Sequence, residues 1–324
     1  MRAPETAAFS SIRQPGPRAG VRRCGLALLV LATALPALAQ DFGDTPYVQT
    51  PQNVVDRMLE TAKVGPRDFV IDLGSGDGRM IITAAKKYGA RGFGVDHDRR
   101  LVALANRNAA QAGVAERAVF YERDLYKTDI RRATVMTIYL LPEVNLMVRP
   151  KLLASLRPGT RIVSHDYDMG EWKPELSFEM DAPGKTVGKD PKSKVFYWVV
   201  PATVAGKWRW QASVGGKPQE FELDAGQMFQ KFDGTVASGG SKGRIEEGSL
   251  AGDRVSFTAT VANGGGGTTR YEFSGRIAGD RIKGEIRSTR NGEVHEAPWS
   301  ARLVEKREPR HFSLPPPTPS DPPR

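Results

Sequence analysis

The chain has 324 residues, 40% of them hydrophobic and 26% charged, and a formal net charge of +10. Its length suggests two domains, each able to bury a core, and its composition excludes a collagenous, low-complexity or wholly disordered chain. Five arginines and one glutamate precede Gln40, so residues 40–324 carry +6, and no basic block interleaved with aromatics marks them for nucleic acid.

The first element read in chain order is a leader. A polar stretch ending in Arg22 and Arg23 is followed by CGLALLVLATAL, Pro36 and the Ala37-Leu38-Ala39 site. A basic region, a short apolar run and an A-x-A site are the pattern of a secretory signal peptide, residues 1–39, cleaved after Ala39. The apolar run is shorter than the roughly 18 residues of a membrane-spanning helix. An exported, periplasmic or envelope-associated protein is expected, or a cytoplasmic one should translation start downstream. Cys24 is the single cysteine and lies in this leader, so the mature chain has no disulfide or thiolate site, and no metal is expected.

Residues 46–203 alternate helical and strand patterns. A helix is predicted over 52–63, a strand over 69–73 and a helix over 79–88. GFGV leads a second strand to Asp96, followed by a helix over 101–113. Strands at 118–124 and 134–140, a helix over 143–156 and a strand at 161–166 follow. LSFEMD and KVFYWVV form a closing hairpin around the polar loop GKTVGKDPKSK. Repeated β-α units predict an α/β domain with a doubly wound, mostly parallel seven-stranded sheet of the Rossmann-like kind.

Residues 205–305 read as about eight short alternating strands with Gly-rich turns, a small antiparallel β-barrel or sandwich. AGDR occurs at 251–254 and again at 278–281, between strands each time, which turn chemistry explains. The Pro-rich residues 306–324 are expected to be a disordered tail.

The stretch V-I-D-L-G-S-G-D-G-R-M, residues 70–80, is a strand, a tight turn and a helix start. Its glycines, Gly74, Gly76 and Gly78, fall at every second position, unlike the G-x-G-x-x-G of NAD enzymes, and Asp77 stands between the last two. An acid at a helix N-terminus repels pyrophosphate, so a phosphate-free, positively charged ligand fits better: S-adenosylmethionine. Asp96 ends the second strand, 18 residues after Gly78, near the spacing at which an acid meets ribose hydroxyls. Asp72 is expected to be buried, its charge offset by turn amides and by the cofactor's ammonium or sulfonium. Asp124 is placed to accept from the adenine amine, with a helix or turn cap as the alternative. Tyr47, Ser75, His97 and Leu125 complete the expected cofactor-binding set, with an exposed loop position as the equal alternative for His97 and a place in the core as that for Tyr47.

PYV at 46–48, DLGSGDGR at 72–79, RDLYK at 123–127, YLLPEV at 139–144 and PGTRIVSHDYDMGEW at 158–172 together resemble the seven-β-strand S-adenosylmethionine-dependent protein-lysine N-methyltransferases of the ATP synthase c subunit and the adenine nucleotide translocase, with their bacterial relatives. The resemblance covers about two-fifths of the chain; the leader and the β-rich C-terminal half lie outside it. It implies methyl transfer to an amine, a protein lysine, and places acceptor-site residues at Tyr139 and at Ser164, His165 and Asp166. Tyr139 and His165 are the candidate catalytic residues, with a structural hydrogen-bonding role as the alternative for His165. Trp172 is either a wall of the site or core. YLLP lacks the carboxylate or amide that orients planar amines in enzymes acting on bases and glutamine, which argues against those acceptors. The expected partner is a protein substrate, free or membrane-associated, with no nucleic acid and no membrane span after cleavage. The competing reading is an exported binding or sensor protein whose barrel takes up an apolar ligand and whose α/β half is not catalytic.

Overall fold

The computed structural model describes residues 47–188 and 190–310. The predicted leader and residues 311–324 of the predicted tail lie outside the described residues. The first half runs α1 (Gln52–Thr61), β1 (Phe69–Leu73), α2 (Arg79–Tyr88), β2 (Arg91–Asp96), α3 (Arg99–Gln111), β3 (Ala118–Glu122), β4 (Val135–Ile138), α4 (Pro142–Ser155) and β5 (Arg161–His165), then the hairpin β6 (Leu176–Asp181) and β7 (Lys192–Val199). These strands form one sheet in the order β3-β2-β1-β4-β5-β7-β6, parallel except for β7. Strand β3 is shorter than predicted, which puts Asp124 on the following loop; β4 ends before Tyr139.

Alternation along the central strands sends side chains to two cores. Val70, Val135 and Val163 meet the apolar faces of α1, α2 and α3, where Val55, Met58, Ile81 and Ala105 are buried. Ile71, Leu73, Met136, Ile138 and Ile162 face the other way, onto Val148 and Leu152 of α4. This second face has a single helix among the described elements, and part of its cover comes from elsewhere in the chain. Phe229 belongs to this core together with Trp172 and Trp198.

The second half is β8 (Gly206–Val214), β9 (Lys217–Met228), β10 (Lys231–Ser238), β11 (Ser241–Ala251), β12 (Arg254–Asn263), β13 (Gly267–Ala278), β14 (Arg281–Arg290) and β15 (Glu293–Lys306). Every neighbour is antiparallel and the last strand, β15, pairs with the first, β8, so the sheet closes into an eight-stranded barrel. A bulge between β11 and β12 near Glu247, at φ 55°, bends the wall. The interior is packed with aromatic rings. Trp210 stacks on Phe221 at 5.3 Å and Phe257 on Phe273 at 4.6 Å, with Trp299 edge-on to Phe273 at 5.3 Å. An eight-stranded barrel has an interior just wide enough for side chains to fill, and here they do. The reading of the barrel as the receptacle of an apolar ligand loses its site.

The barrel's β9–β10 turn enters the α/β half. Phe229, at φ 51°, lays its ring on Trp172 at 6.0 Å and 8°, under the guanidinium of Arg149. Trp172 is fully buried and so is core, not a wall of the acceptor site. Gln227 fixes the turn by donating to the carbonyls of Ala202 and Phe229 and accepting from the amide of Val204. The first AGDR copy also docks: Gly252 receives a hydrogen bond from the amide of Ala202, and a Cβ there would sit 3.1 Å from Gly159. Gly279 of the second copy meets nothing within 4 Å. Beyond β15, Arg307 pairs with Asp224, and the amide of Arg310 donates to Gln227 at 2.8 Å, so the predicted tail is held to the barrel as far as residue 310.

Candidate active site

The carboxyl ends of β1 and β2 meet at the glycine turn. Gly74, Gly76 and Gly78 have φ of 76°, 53° and 84°, in the left-handed region that an L side chain enters only at a cost. The turn is also crowded. A Cβ at Gly78 would lie 2.6 Å from the ring of Phe120 and 2.9 Å from Ala105, so this glycine lets α2 start close against α3 and β3. A Cβ at Gly76 would lie 2.5 Å from the ring of Tyr47, which covers the turn from the segment before α1.

The turn amides do not go to Asp72, contrary to expectation. Those of Gly74 and Ser75 donate to the carbonyl of Val95 at 2.9 Å, that of Gly78 to Ser75, and that of Gly76 to Asp96 Oδ2 at 2.9 Å. Asp96 Oδ1 accepts from the amide of Asp98 at 3.0 Å, which leaves each carboxylate oxygen with capacity for a further donor. Asp72, 5% exposed, instead receives the hydroxyl of Thr137 at 2.6 Å. Burial, reinforced by the charges of Asp96 and Asp77, pushes the Asp72 carboxyl up to about 7 against the pull of the Thr137 bond. Among the described residues no lysine or arginine lies within 4 Å of either Asp72 or Asp96; only His97 Nδ1 approaches, at 3.7 Å from Asp96.

Asp77 behaves differently from these two. Burial raises its carboxyl, but a 2.5 Å ion pair with Arg79 outweighs that and holds it below the usual range. Arg79 also donates to the carbonyl of Thr50 at 2.6 Å. The charge of Asp77 is therefore neutralised and turned toward the segment before α1. The anion-repelling character of the site rests on Asp72 and Asp96, not on Asp77.

The remaining predicted cofactor residues divide. Ser75 is buried with no partner for its hydroxyl oxygen. Leu125 packs at the edge of the second core. His97 is exposed. Asp124 is exposed; its Oδ1 accepts from the amide of Tyr126 at 2.7 Å, the cap geometry of its alternative role, and its Oδ2 lies 3.8 Å from Lys127 Nζ.

Two strands further along, the ends of β4 and β5 bring Tyr139 against His165, ring centroids 4.0 Å apart, and near Tyr167 at 6.3 Å. His165 is fully buried: Nδ1 lies 3.1 Å from Thr50 Oγ1 and Nε2 2.8 Å from Ser193 Oγ. Burial pushes it down to about 4, so the ring is neutral at pH 7 with both nitrogens engaged. This is a brace between the α1 entrance and β7, and it supports the structural alternative for His165. Tyr139 is partly buried, and burial together with the charge of Asp166 pushes its phenol well above the usual range. Asp166 follows β5 at φ 60°; its Oδ1 accepts from the amide of Lys194 at 3.0 Å and its Oδ2 from Lys185 Nζ at 2.7 Å. Ser164 is buried, its hydroxyl donating to the carbonyl of Tyr167 at 2.6 Å. Thr50, Thr137, Lys185 and Ser193 were missed by sequence reasoning, since each acts through a partner far along the chain.

Residues 72–176 match the family model described as the ANTKMT methyltransferase domain. A protein-lysine N-methyltransferase of Saccharolobus islandicus is 47% identical over 133 residues, which are 40% of this chain and 81% of the relative. The adenine nucleotide translocase lysine N-methyltransferase of Mus musculus is 34% identical over 130 residues, 40% of this chain and 56% of the relative. A solved structure described as an RNA methyltransferase from Salinibacter ruber, in complex with S-adenosyl-L-homocysteine, is 48% identical, covers 48% of this chain and 96% of its own, and superposes with a TM-score of 0.44.

Proposed function

Because this chain belongs to the seven-β-strand protein-lysine N-methyltransferases, we propose that it moves a methyl group from S-adenosylmethionine to the side-chain amine of a protein lysine. One observation carries the reading of the site: two buried acids, Asp72 and Asp96, stand at the glycine turn near enough for one charge to raise the other, with no lysine or arginine within ion-pairing distance among the described residues. Burying unpaired carboxylates is expensive, and a cationic ligand offsets that expense where a pyrophosphate would add to it. In this arrangement Asp96 receives ribose hydroxyls on the lone pairs that Gly76 and Asp98 leave open. Asp72 faces the positive charge, and the partnerless hydroxyl of Ser75 is a further polar contact. Asp124 and Leu125 flank the base, one polar and one apolar; His97 and Tyr47 border the opening.

Bound there, S-adenosylmethionine supplies a methyl carbon already activated by its sulfonium. The chain's residues then have to hold the acceptor nitrogen in line and keep water away. Tyr139, stiffened by its contact with buried His165, forms one wall for the acceptor. The new N–C bond forms as the C–S bond breaks, and the amine loses one proton to solvent. Because a lysine must be neutral to attack, the rate rises with pH through the neutral and weakly alkaline range.

The leader supports a location outside the cytosol, in the periplasm or envelope, with a membrane-associated protein as acceptor. Among the described residues no helix is long and apolar enough to cross a membrane. N-terminal sequencing of the protein taken from cells should begin at Gln40; an intact start inside the cytosol would contradict the assignment. For the activity, the purified chain is incubated with methyl-tritiated S-adenosylmethionine and separated envelope-protein and RNA fractions. Label recovered as methyllysine after protein hydrolysis supports the proposal, and label confined to RNA overturns it.

A further inference from the structure

The β6–β7 loop brings its own lysine to the place where an acceptor belongs. Lys185 reaches back from this loop to the end of β5, with Nζ 2.7 Å from Asp166 Oδ2 and 2.7 Å from the carbonyl of Lys192. Both members of the ion pair have side chains only 13% exposed. Asp166 holds its carboxylate there from a left-handed backbone position, φ 60°, that a non-glycine residue occupies only when its surroundings impose it. The amide of Lys194 fixes Asp166 Oδ1, which leaves Oδ2 as the face for a cation; the neutral, doubly bonded His165 lies 3.5 Å from the same oxygen and adds no charge. The charge of Asp166 is felt by the phenol of Tyr139, so carboxylate and aromatic wall share one corner. The ends of β1 and β5 are separated by β4 alone, and at roughly 4.8 Å per strand spacing the corner lies about 10 Å along the carboxyl edge from the glycine turn.

Resting on the lysine-methyltransferase reading above, we propose that Asp166 is the carboxylate that receives the acceptor's ammonium, and that Lys185 is a built-in occupant of that position which the acceptor lysine displaces. The occupant keeps Asp166 from standing as an uncompensated charge in the free enzyme, and it sets selectivity. Only an incoming group that offers an ammonium on a similarly slender stem replaces what it removes. Asp166 is a recognition group, not a base, since the attacking nitrogen must shed its proton after docking.

The full chain with Lys185→Ala tests this with n-butylamine as probe, an amine on the same four-carbon stem as lysine. Incubated with S-adenosylmethionine, the variant should make N-methylbutylamine, detected by mass spectrometry. The wild type should need roughly tenfold more butylamine for the same yield, because it must first expel Lys185. Adding Asp166→Asn to the variant should lower the yield about tenfold or more, with cofactor affinity by calorimetry unchanged. If the alanine variant does not fold, Lys185→Gln, which keeps a donor for Asp166 and for the Lys192 carbonyl, takes its place. Cofactor binding without amine product in the variant, or equal yields with and without Asp166→Asn, would overturn the proposal while leaving the methyltransferase reading intact. Failure of the wild type to bind the cofactor would overturn both.

Discussion

Asp72→Asn should make the cofactor-free protein more stable while weakening its hold on the cofactor. The carboxyl is pushed from 3.8 up to about 7, first by burial and then by Asp96 and Asp77. A group that holds its proton more tightly when folded contributes stability that is intact below 3.8, declines as pH rises and is gone above about 7. At about 1.4 kcal/mol per pH unit, this displacement amounts to roughly 4 kcal/mol at pH 8 and roughly 1–2 kcal/mol at pH 5. Asparagine keeps the carbonyl that accepts the Thr137 hydroxyl and carries no charge, so most of that penalty should be relieved. Thermal unfolding of both forms without cofactor, at pH 5 and pH 8, should show the variant more stable by an increment that grows by about 2–3 kcal/mol between the two. Calorimetry at pH 8 should show its affinity for S-adenosylmethionine falling by about tenfold or more. A variant that melts no higher than the wild type at pH 8, or binds the cofactor as tightly, would refute the claim that Asp72 stores an unpaired charge for the ligand.

Other outcomes follow from the same geometry. Asp96→Ala should weaken cofactor binding strongly and also cost about 1–3 kcal/mol of stability, since the buried Gly76 amide loses its acceptor; a melting curve and a titration check the two effects separately. His165, held near 4 by burial, is destabilised by its own protonation, so its contribution is full above about 6.5 and is lost as pH falls toward 4. His165→Gln should flatten the fall in melting temperature over that range while leaving methyl transfer within a few-fold of wild type; loss of transfer with the fold intact would make His165 catalytic after all. Phe229→Ala should destabilise the protein by about 3–5 kcal/mol, read by chemical denaturation, because it empties a ring-sized space under Trp172.

What was legible in the sequence was what is local. The strand, turn and helix around DLGSGDGR are set by residues next to one another, and three glycines at positive φ announce a turn that other residues fit poorly. The eight barrel strands were readable for the same reason, since period-two alternation and glycine turns are properties of short stretches. Closure into a barrel was not, because it depends on the last strand, β15, meeting the first, β8, some 90 residues away across the whole sheet. The fate of individual side chains was least legible. His165 stood between an acceptor-site role and a structural one, and what decides it is Thr50, 115 residues away, set against one of its nitrogens. Phe229 reads in sequence as one more barrel residue, yet it belongs to the core of the other half. Pairings over such separations leave no periodic trace.

The claim on which the rest stands is that a glycine turn lined by unpaired acids holds a cationic, phosphate-free nucleoside. Isothermal titration of the full chain with S-adenosylmethionine and, separately, with NAD tests it most directly. Saturable binding of S-adenosylmethionine that is largely lost in Asp96→Ala, with no heat from NAD, is the predicted result; binding of NAD with none of S-adenosylmethionine would contradict the account.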